Sequence, residues 1–192
     1  MSLSSLIEEN RVTPVIIREA AILDAPAMAR VHVDTWRTTY PGIVPDDVLA
    51  GLSYARSEKI WADILSTGGD PQFNYVAEAD GGEIVGIASG GPERADTAGY
   101  DGELYGIYVL KKAQGAGIGR QLTEATARRL KERGFTSMLV WVLRDNHPAR
   151  GFYEKLGGVY VTEKEITIGG ATLIEVAYGW PDVAHLWDTR SR

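Results

Sequence analysis

Cysteine is absent from the 192-residue chain. That excludes disulfides, thiolate metal sites and a cysteine nucleophile, and it suits a reducing compartment, so a cytoplasmic location is expected. The three histidines, His32, His147 and His185, are too scattered for a metal site, and no metal is expected. No apolar run approaches the roughly 18–20 residues of a membrane helix, so no membrane partner is expected. Residues 1–10 are polar and acidic and lack the basic stretch of a secretory leader, so none is expected there. Positive charge is in deficit: 20 Lys and Arg stand against 26 Asp and Glu, a net charge of −6. Sequence-independent nucleic-acid binding is therefore not expected. No G-x-S-x-G elbow occurs, which leaves a serine hydrolase without support.

What remains is an ordinary globular composition, 44% hydrophobic and 24% charged, enough for one buried core. A single domain is expected over 1–192, with its core at about 15–180 and tails at 1–12 and 181–192. Val15 to Arg18 reads as a strand. Asp24 reads as a helix N-cap with Pro26 in the first turn, and Pro41-Gly42 breaks that helix. Two more helices are expected at 46–52 and 54–65. Asp80-Gly81-Gly82 joins two strands as a hairpin, and so does Gly169-Gly170. Residues 90–102 read as a loop whose acids, Glu93, Asp96 and Asp101, are solvated, with Glu103 opening the next strand. Thr136 to Leu143 is apolar on both faces, as a central strand should be. The fold class is a mixed α/β (α+β) sheet with helices on both faces, not a doubly wound one. An antiparallel meander precedes one right-handed β-α-β crossover over 103–143.

Charge is unevenly placed. Residues 111–155 hold ten Lys and Arg against four acids, in a chain that is acidic overall. Part of that surplus lies at the end of the helix expected over 118–133, where cations complement the helix dipole. Lys111, Lys112 and Arg120 instead bracket Gln114-Gly115-Ala116-Gly117-Ile118-Gly119, between a strand and that helix. Glycines there let the backbone approach a ligand and leave N–H groups at a helix N-terminus, which suits an anion. No Gly-Lys-Ser/Thr follows, so this is not a P-loop. Arg120 and Leu122 occupy positions where a dinucleotide fingerprint needs Gly.

This loop resembles the acetyl-CoA pyrophosphate loop of the GNAT N-acetyltransferase family. The likeness continues downstream, where Asn146 precedes a helix carrying Phe152-Tyr153 and ending at Leu156-Gly157. Upstream, Trp36 to Pro45 is similar to the acceptor-side helix and loop of small-molecule members. The order of elements fits over roughly 15–180.

The resemblance implies a splayed pair of parallel strands with pantetheine between them. Backbone groups of Ile107, Tyr108 and Val109 would bond the pantetheine, and Gln114, Gly115, Ala116, Gly117, Ile118, Gly119 and Arg120 would hold the pyrophosphate. The Val109 N–H would also face the thioester carbonyl, where a preorganised donor is worth roughly 3–4 kcal/mol. Lys111 or Lys112 is expected at the 3′-phosphate on charge alone. Asn146 is expected to act both as a helix cap and on the pantetheine arm. Tyr153 would contact the cofactor and protonate the departing thiolate as general acid. Glu103 is the expected base, because an alkylamine is almost wholly protonated at neutral pH. Trp36, Tyr40 and Glu103 are expected to line the acceptor pocket.

The expected activity is acetyl transfer from acetyl-CoA to a primary amine, in a small-molecule acceptor, by direct attack in a ternary complex. A homodimer is expected by family analogy. The rival readings are a non-catalytic CoA-binding regulatory module and a protein or peptide N-terminal acetyltransferase. Trp141 stands where some protein-acetylating members carry a Glu, which disfavours the second.

Overall fold

The computed structural model describes residues 15–67, 71–97 and 99–187; the expected tail at 1–12 and residues 188–192 lie outside them. Strand β1 (Val15–Glu19) leads into helices α1 (Ala25–Thr39), α2 (Asp46–Ala50) and α3 (Tyr54–Ser66). Strands β2 (Phe73–Ala79), β3 (Ile84–Pro92) and β4 (Gly102–Val109) follow. Helix α4 (Ile118–Glu132), strand β5 (Met138–Leu143) and helix α5 (His147–Lys155) come next, then the hairpin of β6 (Val159–Ile168) and β7 (Ala171–Trp180).

The strands form one seven-stranded sheet in the order β1-β2-β3-β4-β5-β7-β6. The meander β1 to β4 is antiparallel, β4 and β5 are parallel, and β5, β7 and β6 are antiparallel. The mixed sheet and its single crossover match the sequence expectation. Strand β3 runs on to Pro92, so the loop expected from residue 90 begins at Glu93.

Helices cover both faces. On the first, α4 presents Ile118 and Leu122 to β3, and it comes close because β3 carries glycines there. A Cβ at Gly90 would lie 2.6 Å from Thr126 Cγ2, and one at Gly86 would lie 3.1 Å from Leu122 Cδ1. Gly86 pairs with Val109, so Val109 shares the α4 face and Tyr108 takes the other. There the Tyr108 ring stands 5.0 Å from His32 of α1. Strand β5 is buried along nearly its whole length between these layers, as its two-faced apolar sequence requires.

Two terminal features differ from expectation. Asp24 sits at the N-cap position of α1, but its carboxylate turns away from the helix. It accepts from Ala21 N at 2.7 Å and from Arg18 Nη1 and Nη2 at 2.7 and 2.8 Å. The Arg18 guanidinium holds this carboxyl below its ordinary value. At the other end, Val183 and Leu186 are buried in the main core on a 3-10 turn against α4. Arg128 covers the Trp187 ring at 4.7 Å. Val183 and Leu186, expected in a tail, are therefore core. Two apolar anchors in so short a stretch show no periodicity to read. No helix among the described residues is long and apolar enough to cross a membrane.

Candidate active site

The parallel pair β4–β5 is zipped at one end only, through Gly102↔Met138 and Glu103↔Leu139. A carboxylate fastens that end. Asp101 accepts from Thr136 N (2.9 Å) and Oγ1 (3.1 Å) and from Ser137 N (2.9 Å) and Oγ (2.7 Å). Just beyond, β4 carries an irregularity: Ser89 pairs with Gly106 and Gly90 with Leu104, so Tyr105 has no partner residue. Its ring is held under Arg94, at 3.8 Å, and its hydroxyl donates to Pro92 O at 2.8 Å. A bulge bends its strand. From here β4 follows β3, β5 follows β7, and a seam opens through the sheet.

The direction of the backbone groups in that seam follows from the pairing. Leu110 N–H donates to Val85 O at 2.9 Å. Antiparallel pairs alternate between bonded and non-bonded, so Tyr108 exchanges bonds with Ile87, while Ile107 and Val109 do not bond β3. The N–H and C=O groups of Ile107 and Val109 therefore point into the seam. Gln114 Nε2 donates to Val109 O at 3.0 Å. Tyr108, expected to contribute its backbone, spends it on β3 and offers its side chain instead.

A cavity of about 710 Å³ occupies the seam, a volume ordinary for small-molecule sites. Of the loop residues expected at the pyrophosphate, Gln114, Gly115, Gly117, Ile118, Gly119 and Arg120 line it; Ala116 does not, and packs on the core. Gly115 and Gly117 have φ of 82° and 78°, and a Cβ on either would meet nothing within 4 Å, so glycine serves conformation and leaves open space over the loop. The first bond closing α4 runs from Gln121 N to Gly117 O. The amides of Ile118, Gly119 and Arg120 lie ahead of it and have no intrahelical acceptor. Lys111 lines the cavity without an ion pair among the described residues, whereas Lys112 is tied to Glu83 at 2.8 Å.

Helix α5 borders the opposite bank. Asn146 is its N-cap, as expected, accepting from Ala149 N at 3.2 Å, and it also lines the cavity. The helix is fixed to β7 by Tyr178, which donates to Glu154 at 2.5 Å and accepts from Arg150 Nε at 3.1 Å. Phe152 packs against Gly119, where a Cβ would lie 3.1 Å from its ring. Tyr153 is buried and lines the cavity. Burial pushes its phenol well above the ordinary tyrosine value, and the neighbouring Tyr40 and Tyr108 hydroxyls add to the shift. Three phenols thus meet at the seam, two from the α1 face and one from α5.

Glu103 departs from expectation. It is 2% exposed and does not line the cavity. Its carboxylate accepts from Arg94 Nη2 at 2.6 Å, and from Arg94 Nε and N at 3.1 Å each. The loop acids are not all solvated either. Glu93 accepts from Ala95 N, Thr97 N and Thr97 Oγ1, and Asp101, though exposed as Asp96 is, is the fastener described above. Close spacing of acids in a polar loop concealed how completely the neighbouring amides use them.

Trp36 and Tyr40 do line the cavity, their rings 4.7 Å apart. Sequence reasoning missed Glu175, which among the described residues is the one carboxylate in the lining. It stands on β7 opposite Leu143 of β5, with Lys164 of β6 at 3.9 Å. Burial raises its pKa, and Lys164 opposes the shift. The signal was a charge at 175 on a strand face otherwise made by Leu173 and Ala177. Tyr105 was missed too, because nothing in the sequence marks the bulge. Among the described residues no group of His, Asp and Glu is placed to hold a metal ion.

This architecture has counterparts among known proteins. Residues 33–158 match the family described as Acetyltransferase (GNAT) family. The uncharacterized N-acetyltransferase YuaI of Bacillus subtilis (strain 168) is 42% identical over 172 residues, spanning 90% of this chain and 96% of YuaI. The PaiA N-acetyltransferase of Thermoplasma acidophilum, solved in complex with coenzyme A, is 21% identical with a TM-score of 0.66, over 84% of this chain and 98% of that one. The ribosomal-protein-alanine N-acetyltransferase of Brucella melitensis is 22% identical with a TM-score of 0.66, over 86% and 98% of the two chains. Those two structures share the fold. The chain belongs to the GNAT acetyltransferase family, and it is an N-acetyltransferase.

Proposed function

We propose that the protein transfers the acetyl group of acetyl-CoA to a primary amine of a small-molecule acceptor, by direct attack of the amine while both substrates are bound. The observation that carries this reading is the open seam. Its backbone groups at Ile107 and Val109, which do not bond β3, run from the glycine loop to Tyr153. Acetyl-CoA supplies an acetyl thioester at the end of a long polyamide arm and an anionic pyrophosphate, and the lining suits both. Ile107 and Val109 offer amide-like partners to the arm, as an open strand edge does. The amides of Ile118, Gly119 and Arg120, with Lys111 beside them, suit phosphate oxygens. Asn146 is held at the seam by its cap bond. Tyr153 keeps its proton because burial disfavours the phenolate, which leaves a hydrogen-bond donor for the departing sulfur. Bringing both reactants into one seam supplies a large part of the rate.

The test is a thermal-shift titration with acetyl-CoA, CoA and ATP, followed by thiol release from acetyl-CoA with a mixed amine panel. Ligand at about 100 times Kd stabilises by roughly 2.7 kcal/mol, a shift of a few degrees. Both CoA species are expected to shift the transition and ATP is not, and thiol release is expected to require an amine. A shift with none of the three, or an equal one with ATP, overturns the assignment of the seam.

A further inference from the structure

The cavity is polarised across the sheet. Its charged lining residues among those described are Lys111, Arg120 and Glu175. The two cations belong to the turn and first helical turn on the α4 side. Glu175 lies elsewhere. Strand β4 pairs Glu103 with Leu139 of β5, and alternation along β5 puts Trp141 and Leu143 on that same face, away from α4. Glu175, opposite Leu143, joins them. Leu143 there packs with Trp36, Tyr40 and Val44. The wall around Glu175 is aromatic: Trp36 and Tyr40 from α1, Tyr105 from the bulge and Trp141 from β5 all line the cavity.

We propose that this wall selects the acceptor: a small amine that enters as its ammonium, is held by Glu175 and passes its surplus proton to that carboxylate before attack, with an apolar or aromatic body and no carboxylate beside the nitrogen. This rests on the acetyl-transfer reading for the identity of the site, but its binding chemistry is independent of CoA. A half-buried carboxylate among aromatic faces is a cation site on two counts, through direct charge pairing and through the ring quadrupoles. A carboxylate on the acceptor would meet Glu175, while the lining cations Lys111 and Arg120 stand on the α4 side, away from it. The cations nearest that face are already engaged. Arg94 grips Glu103 and lies on the Tyr105 ring, and Lys164 is shared between Glu175, at 3.9 Å, and the Trp141 ring, whose centre lies 3.8 Å from its Nζ. The Trp141 indole N–H is buried and has no partner among the described residues, so an acceptor atom on the ligand body is accommodated there.

The probes are 2-phenylethylamine, phenylalanine and 2-phenylethanol, which share one body and differ in charge. Each is titrated calorimetrically into the wild-type protein and into Glu175→Gln without CoA. The wild type is expected to bind 2-phenylethylamine at least about tenfold more tightly than phenylalanine, a difference of about 1.4 kcal/mol. Glu175→Gln is expected to lose about tenfold or more on 2-phenylethylamine and to bind 2-phenylethanol as the wild type does, which shows the wall intact. Absence of amine binding to the wild type, equal binding of phenylalanine, or unchanged amine binding by Glu175→Gln overturns the proposal. The CoA thermal shift on the same samples reports separately on the acetyl-transfer reading.

Discussion

At the scale of single residues, burial decides which titratable groups serve the seam. Tyr153 keeps its proton through the range where an exposed tyrosine, with a pKa near 10, begins to ionise. Between pH 7 and 10 the turnover rate is therefore expected to show no fall from loss of this proton. Replacing the donor by Tyr153→Phe is expected to lower kcat by about 100-fold. KM for acetyl-CoA should change little, as steady-state kinetics will check; an unchanged kcat removes the donor role. Tyr153 and Asn146 were legible in the sequence because a helix start fixes their spacing and orientation. The acidic residue of the site was not. Glu103 looked available at a strand end, but Arg94, nine positions back along the loop, folds over and takes both carboxylate oxygens. Glu175 looked like any strand glutamate until β7 was placed against β5.

At the scale of elements, the seam depends on a fastener and a bend. Asp101 bonds the two residues that lead into β5, and the β4–β5 pairing starts beside it. Burial alone would raise its pKa; the hydrogen bonds from Thr136 and Ser137 outweigh that and hold it below the ordinary carboxyl value. A depressed native pKa makes the stabilisation complete above the unfolded-state value near 4, and loses it as pH falls through the native value. Asp101→Asn keeps one oxygen acceptor and adds donors that face other donors. It is expected to cost about 1–3 kcal/mol in urea unfolding at pH 7. The difference from wild type should shrink as the pH drops below about 4. A difference that persists at pH 2 would show that the carboxylate charge is not the fastener. The glycine loop and both hairpins were readable in advance because turn chemistry is local. The bulge at Tyr105 was not, since it arises from the pairing of β4 with a neighbour.

At the scale of the whole molecule, the element order was legible and the strand order only in part. A meander and a crossover follow from short and long connections, but β7 slipping between β5 and β6 is decided by packing remote in sequence. That insertion is what brings Glu175 to the seam. The seam also gives the sheet an unusual interior. β4 is central by position, yet beyond Glu103 one of its sides is a free border. Amide hydrogen exchange should record this as an alternation. Ile107 and Val109 should trade deuterium at the pace of the outer rim, while Tyr108 between them, locked to β3, stays slow. A ligand lying in the seam would then slow Ile107 and Val109 alone, closing the border from within.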